Sequence, residues 1–172
     1  SVSNTYEAMD ARDEIIRLLN RIHAEGLDAN VSVKPSQLGL KLDAQLALDN
    51  LRLILDQARA QNNWIRIDME ESAVVDTTLD MYRALRYDYG FDNVAVVIQA
   101  YLYRSEHDVE ELIKDGASVR LCKGAYMEPT NIAFTEKEET DQNFVKLTQM
   151  LLSDKARENK VYLASATQDE KM

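Results

Sequence analysis

The sequence contains a single cysteine, Cys122, which excludes an internal disulfide framework and a zinc site built from cysteines. Its two histidines, His23 and His107, are far apart in the chain, so a histidine metal site is not expected. Glycine is scarce and scattered, 5 residues in 172, and no Gly-x-Gly-x-x-Gly or phosphate loop occurs. Positive charge is short, 20 Lys and Arg against 30 Asp and Glu, giving a net charge of -10. Such a chain is a poor general binder of nucleic acid or anionic lipid, and no nucleic-acid partner is expected. No apolar run approaches the roughly 18 residues of a transmembrane segment. Ser1-Val2-Ser3-Asn4 lacks a basic region followed by an apolar one, so no leader peptide and a cytoplasmic location are expected.

What is present is globular composition, with 45% hydrophobic and 29% charged residues, enough to bury a core in one domain over residues 1–172. Met9, Ile16, Leu19 and His23 recur at helical spacing and predict an amphipathic helix over 5–25, stopped by Gly26. Further helices are expected over 43–61, 77–89, 105–114 and 139–159, with Ser105 as the cap of the fourth. Strands are expected over 29–34, 64–69, 94–101, 118–122 and 161–166. Strands and helices alternate without a hairpin signal, so the strands should be parallel.

Two architectures fit, a doubly wound sheet and a (β/α)8 barrel. The barrel is favoured because the dinucleotide fingerprint is absent and polar residues end every strand: Lys34, Asp68, Gln99, Arg120 with Lys123, and Thr167 with Gln168. A barrel gathers those ends on the face where its active sites are built. A complete barrel takes about 250 residues, so the expected fold is α/β, a segment of a (β/α)8 TIM-like barrel with five parallel strands. Val33, Ile67, Val97 and Leu121 would then lose their partners on the barrel axis. Pairing through open strand edges into an oligomer is one remedy.

Two or three cations beside one carboxylate suit an anionic small molecule and a polar cofactor. The bland reading is a structural ion pair between Asp68 and Arg120, and the pattern leaves both open. Glu70 and Glu71 read as a loop cluster, His23 as a packing residue, His107 as solvated and Cys122 as a buried small residue. Tyr82, Tyr87 and Tyr103 are expected to pack, and residues 136–139 to form a solvated helix start.

Four ordered stretches carry a specific resemblance: Val31 to Gly39, Arg66 to Glu70, Val97 to Arg104 and Val119 to Pro129. Together they resemble bacterial monofunctional proline dehydrogenase over almost the whole chain, without its first strand and last barrel strands. The resemblance implies a barrel that holds FAD, oxidises L-proline to Δ1-pyrroline-5-carboxylate and passes electrons to a membrane quinone. It implies a protein without a transmembrane segment, peripheral at the inner face of the membrane. It matches Lys34 to a lysine binding the proline carboxylate, and Asp68 and Arg120 to catalytic positions, Arg120 beside the flavin. Met69, Gln99, Lys123, Gly124, Ala125 and Thr167 match flavin-contacting positions, and Gln168 stands where the family has histidine. The arginine pair that clamps the substrate in the family has no counterpart here. Two other readings stand beside it: a catalytically inactive fragment, and a Schiff-base barrel lyase using Lys123.

Overall fold

The computed structural model describes residues 2–169. The chain divides into two compact units, one of residues 1–68 and 76–95, the other of 69–75 and 96–172.

In the first unit, α1 (Thr5–Ala24) packs on α2 (Ala44–Ala60). Asn4 caps α1 by accepting from the Glu7 N–H, and Asp43 caps α2 by accepting from that of Gln45. The buried face of α1 carries Ala8, Leu19 and Ile22, while His23 and Met9 are exposed. His23 is therefore not the packing residue its spacing suggested. Leu19 keeps its place, but at the two ends the buried position lies one residue earlier, at Ala8 and Ile22, and one residue is about 100° of helix. β1 (Val31–Val33) and β2 (Ile65–Ile67) pair in parallel, Val33 opposite Ile67. Val33 and Ile67 are buried, and Ser32 and Arg66 take the opposite, more open face. Buried Asn50 accepts from Arg12 and donates to the Leu38 carbonyl. It thereby fixes the 3-10 turn Pro35–Leu38 that follows Lys34. α3 (Val75–Arg83) runs on into a π-helical turn, Ala84–Asp88. Tyr82 is fully buried there, but Tyr87 is 58% exposed and does not pack as expected.

β3 (Val94–Gln99) begins in the first unit and continues in the second. In the second unit it pairs in parallel with β4 (Ser118–Cys122), which pairs in parallel with β5 (Tyr162–Ala166). α4 (Ser105–Lys114) and α5 (Lys137–Leu151) cover one side with Val109, Leu112, Phe144 and Leu147. Ser105 is the first residue of α4 rather than its cap; its hydroxyl donates to the Leu102 carbonyl instead. The helix expected over 139–159 is two, α5 and α6 (Asp154–Glu158), because Ser153 takes extended backbone and caps the second. Buried Asn143 of α5 donates to the Ala100 carbonyl and to the Ser105 hydroxyl, joining α5 to the end of β3 and the start of α4.

Val33, Ile67, Val97 and Leu121 are each at most 5% exposed, so the expectation that they stand uncovered fails. For Leu121 the reason is alternation: Val119 and Leu121 take the buried face of β4, leaving Ser118, Arg120 and Cys122 on the half-exposed one.

Candidate active site

In the first unit Lys34 and Asp68 each follow one member of the registered pair Val33 and Ile67. The Asp68 N–H donates to the Val33 carbonyl at 2.9 Å, so the ladder runs one step past the strands. A lysine and an aspartate thus leave adjacent strand ends. Lys34 is exposed, and among the described residues of its unit its ammonium has no ion-pair partner. Arg66, not singled out by its residue type, lies on the face opposite the buried Ile65 and Ile67 and donates to Ser32 Oγ at 3.0 Å.

In the second unit the registers Val97, Arg120, Ala164 and Gln99, Cys122, Ala166 put Arg120, Gln99 and Cys122 on one face. Cys122 is half-exposed there, with Sγ on the Ile98 carbonyl, and is not the buried small residue expected. Among the described residues of its unit, the Arg120 guanidinium has no ion-pair partner. Gln99 is buried and donates to the Glu70 carbonyl at 2.9 Å, which places Glu70 and the neighbouring Met69, both buried.

Lys123 does not join Arg120. It follows β4 three residues after Arg120, so alternation turns it to the helix-covered side. There it donates to Asp141 of α5 and to Asp169 at 2.7 Å. Lys137 contacts the same two carboxylates. These contacts lower the Asp141 carboxyl from its usual value, the hydrogen bond from Lys123 first and that from Lys137 second. Thr167 and Gln168 are exposed after β5, and Thr167 Oγ accepts from the Asp169 N–H.

The backbone after β4 is shaped by Tyr101. Its N–H donates to the Lys123 carbonyl and its carbonyl accepts from Phe134, each at 2.8 Å. Gly124 has φ +121, and a Cβ there would meet the Tyr101 ring at 2.1 Å. The backbone at 124 therefore approaches the ring too closely for a side chain between them, and Gly124 and Ala125 are exposed. Tyr103, at 47% exposed, stands edge-on to Phe134 and donates to the Thr130 carbonyl. The Tyr101 hydroxyl is buried without a hydrogen-bond partner in good geometry. Burial first, and the Glu128 charge second, push the phenol up to about 12.

These donors fit a large anionic cofactor. In the second unit, exposed backbone at 124–125 and the half-exposed Arg120 offer N–H groups and positive charge. The Lys123 ion pairs weigh against Schiff-base chemistry, which needs an unpaired amine.

A family model described as Proline dehydrogenase matches residues 1–171. Proline dehydrogenase 2 of Bacillus subtilis (strain 168) is 36% identical over 171 residues, 99% of this chain and 54% of that protein. Proline dehydrogenase of Deinococcus radiodurans is 38% identical over 138 residues, 78% of this chain and 44% of that protein. The chain spans about half the length of these relatives. Among solved structures, proline utilization A from Bdellovibrio bacteriovorus, inactivated by N-propargylglycine, matches with a TM-score of 0.80 at 26% identity, covering 94% of this chain and 21% of that one. The fold is accordingly α/β with five parallel strands, a segment of a TIM-like barrel.

Proposed function

The chain belongs to the proline dehydrogenase family, and on that footing we propose that the protein oxidises L-proline to Δ1-pyrroline-5-carboxylate with FAD. The electrons pass on to a membrane quinone, and the protein works as a peripheral partner of the membrane. Among the described residues no helix is long and apolar enough to cross one. The observation that carries the reading is the half-exposed face of β4, where a strand arginine without an ion-pair partner in its unit stands beside exposed backbone at 124–125.

Bound FAD would supply the two-electron acceptor that no side chain here can provide. Arg120 supplies fixed positive charge where negative charge gathers as the electrons arrive. Lys34 holds the substrate carboxylate and so sets its orientation. Asp68, which leaves the strand end next to Lys34, contributes the carboxylate that the reaction uses. Met69, Gln99, Lys123, Gly124, Ala125, Thr167 and Gln168 hold the cofactor, with Gly124 and Ala125 giving it backbone to lie against.

The test is flavin absorbance and proline-dependent dye reduction by the purified full-length protein, with the 172-residue chain assayed beside it. Flavin absorbance with proline-dependent turnover supports the reading. Borohydride trapping of a carbonyl substrate on Lys123, with no flavin bound, would replace it.

A further inference from the structure

Asn50 sits where both helix and core disfavour it. It lies inside α2, where asparagine is a poor helix former, and it is 2% exposed, where an amide costs free energy unless it is hydrogen-bonded. Both of its bonds leave the helix. Oδ1 accepts from Arg12 Nη1 of α1 at 3.3 Å, and Nδ2 donates to the Leu38 carbonyl at 3.0 Å. A guanidinium only donates and a carbonyl only accepts, so the amide fits only this way round. Neither an aspartate nor a leucine could serve both partners.

The Leu38 carbonyl ends the 3-10 turn Pro35–Leu38, where helical carbonyls lose their own partners. The turn begins on Lys34. The Lys34 carbonyl accepts from the Gln37 N–H at 3.0 Å, and the Pro35 carbonyl from the Leu40 N–H at 3.0 Å. Pro35 keeps Lys34 extended, at φ -97 and ψ 120. On the strand side the Val33 carbonyl is held by the Asp68 N–H. The Lys34 backbone is thus fixed from the strand and from the turn, and Asn50 closes the far end of the turn from the core. The Lys34 side chain is exposed, so its reach is set by where that backbone lies.

We propose that Asn50 is a positioning residue for substrate binding, holding the turn that places Lys34, with Arg12 orienting its amide. The inference rests on the reading of Lys34 as the residue that holds the substrate carboxylate. Every contact in the relay lies within the first unit. The flexible lysine stem absorbs part of any backbone shift, so the loss of affinity is several-fold rather than complete.

The test is proline binding and flavin reduction, followed by stopped flow in the full-length protein. Asn50→Asp keeps the Arg12 contact but sets an acceptor against the Leu38 carbonyl. It should raise the proline dissociation constant about fivefold, with little change in the reduction rate at saturating proline. Asn50→Ala removes both bonds without adding charge and should act in the same direction; it carries the test if the aspartate variant does not fold. Double variants decide whether the effect runs through Lys34. In a Lys34→Met background either substitution should add less than about twofold. A purely structural Asn50 would show its full effect there as well, and that result overturns the proposal. Wild-type proline binding in a folded Asn50 variant overturns it too, leaving the Lys34 reading intact. Lys34→Met with wild-type proline affinity overturns both together.

Discussion

The Glu128 carboxylate accepts two hydrogen bonds from one residue, Ser72, at 2.7 Å from its backbone N–H and 2.6 Å from its hydroxyl. Ser72 opens the 3-10 turn Ser72–Val74, so a charged acceptor meets a backbone N–H at a helical start. Glu128 lies in the stretch between β4 and α5, and the contact fastens the segment that carries Gly124 and Ala125. Glu128→Ala should cost about 1 kcal/mol in urea unfolding. It should also speed amide exchange over residues 124–131. Unchanged exchange there would mean that Tyr101 and Tyr103 alone hold the loop.

Gly124→Ala combines a strained backbone with a 2.1 Å clash on the Tyr101 ring. It should destabilise by more than about 2 kcal/mol. Adding Tyr101→Ala removes the clash and leaves the backbone strain, so the pair should be less destabilised than the sum of the single variants. Simple additivity in thermal unfolding would show that the ring is not what forbids a side chain at 124.

The Tyr101 phenol is pushed up to about 12 from the usual 10, by burial first. A raised acid binds its proton more tightly in the folded state. Its contribution is fully present below pH 10 and is lost as the pH rises toward 12. Tyr101→Phe should therefore flatten the fall in stability between pH 10 and 12, read by urea midpoints across that window. It also removes a hydroxyl without a well-formed hydrogen bond, so at pH 7 it should be neutral or slightly stabilising. An identical pH slope in both proteins would place the titrating group elsewhere.

Arg120→Met and Lys34→Met should separate in stopped-flow reduction of the full-length protein. The arginine acts as charge develops, so its loss should slow flavin reduction at least about tenfold with little change in proline affinity. Loss of Lys34 should mainly raise the proline dissociation constant. An Arg120→Met variant altered only in proline binding would reverse the assignment.

Element type was legible because it rests on local chemistry. Val94–Gln99 is a β-branched run that can only be a buried strand, and α1 matches its periodic segment to within a residue. The misjudged details share a cause. Ser105 looks like a cap, yet its hydroxyl is taken by the Leu102 carbonyl, and Asn143 of α5 decides that arrangement from 38 residues away. Ser153 breaks a pattern that looks continuous, because one residue in extended backbone is invisible to periodicity.

By itself the sequence determined the alternation of five strands and their helices, the residue types at each strand end, and the motifs that mark the family. Those depend on neighbours within a few positions, where propensity and period act. Only the tertiary structure decided that Lys123 pairs with Asp141 and Asp169, and that Lys137 shares both carboxylates. Strand alternation sets the side, but the carboxylates arrive from a helix and a strand end 18 and 46 residues further on. Electrostatic partnership acts through space, and no local pattern records which distant carboxylate the fold brings within reach.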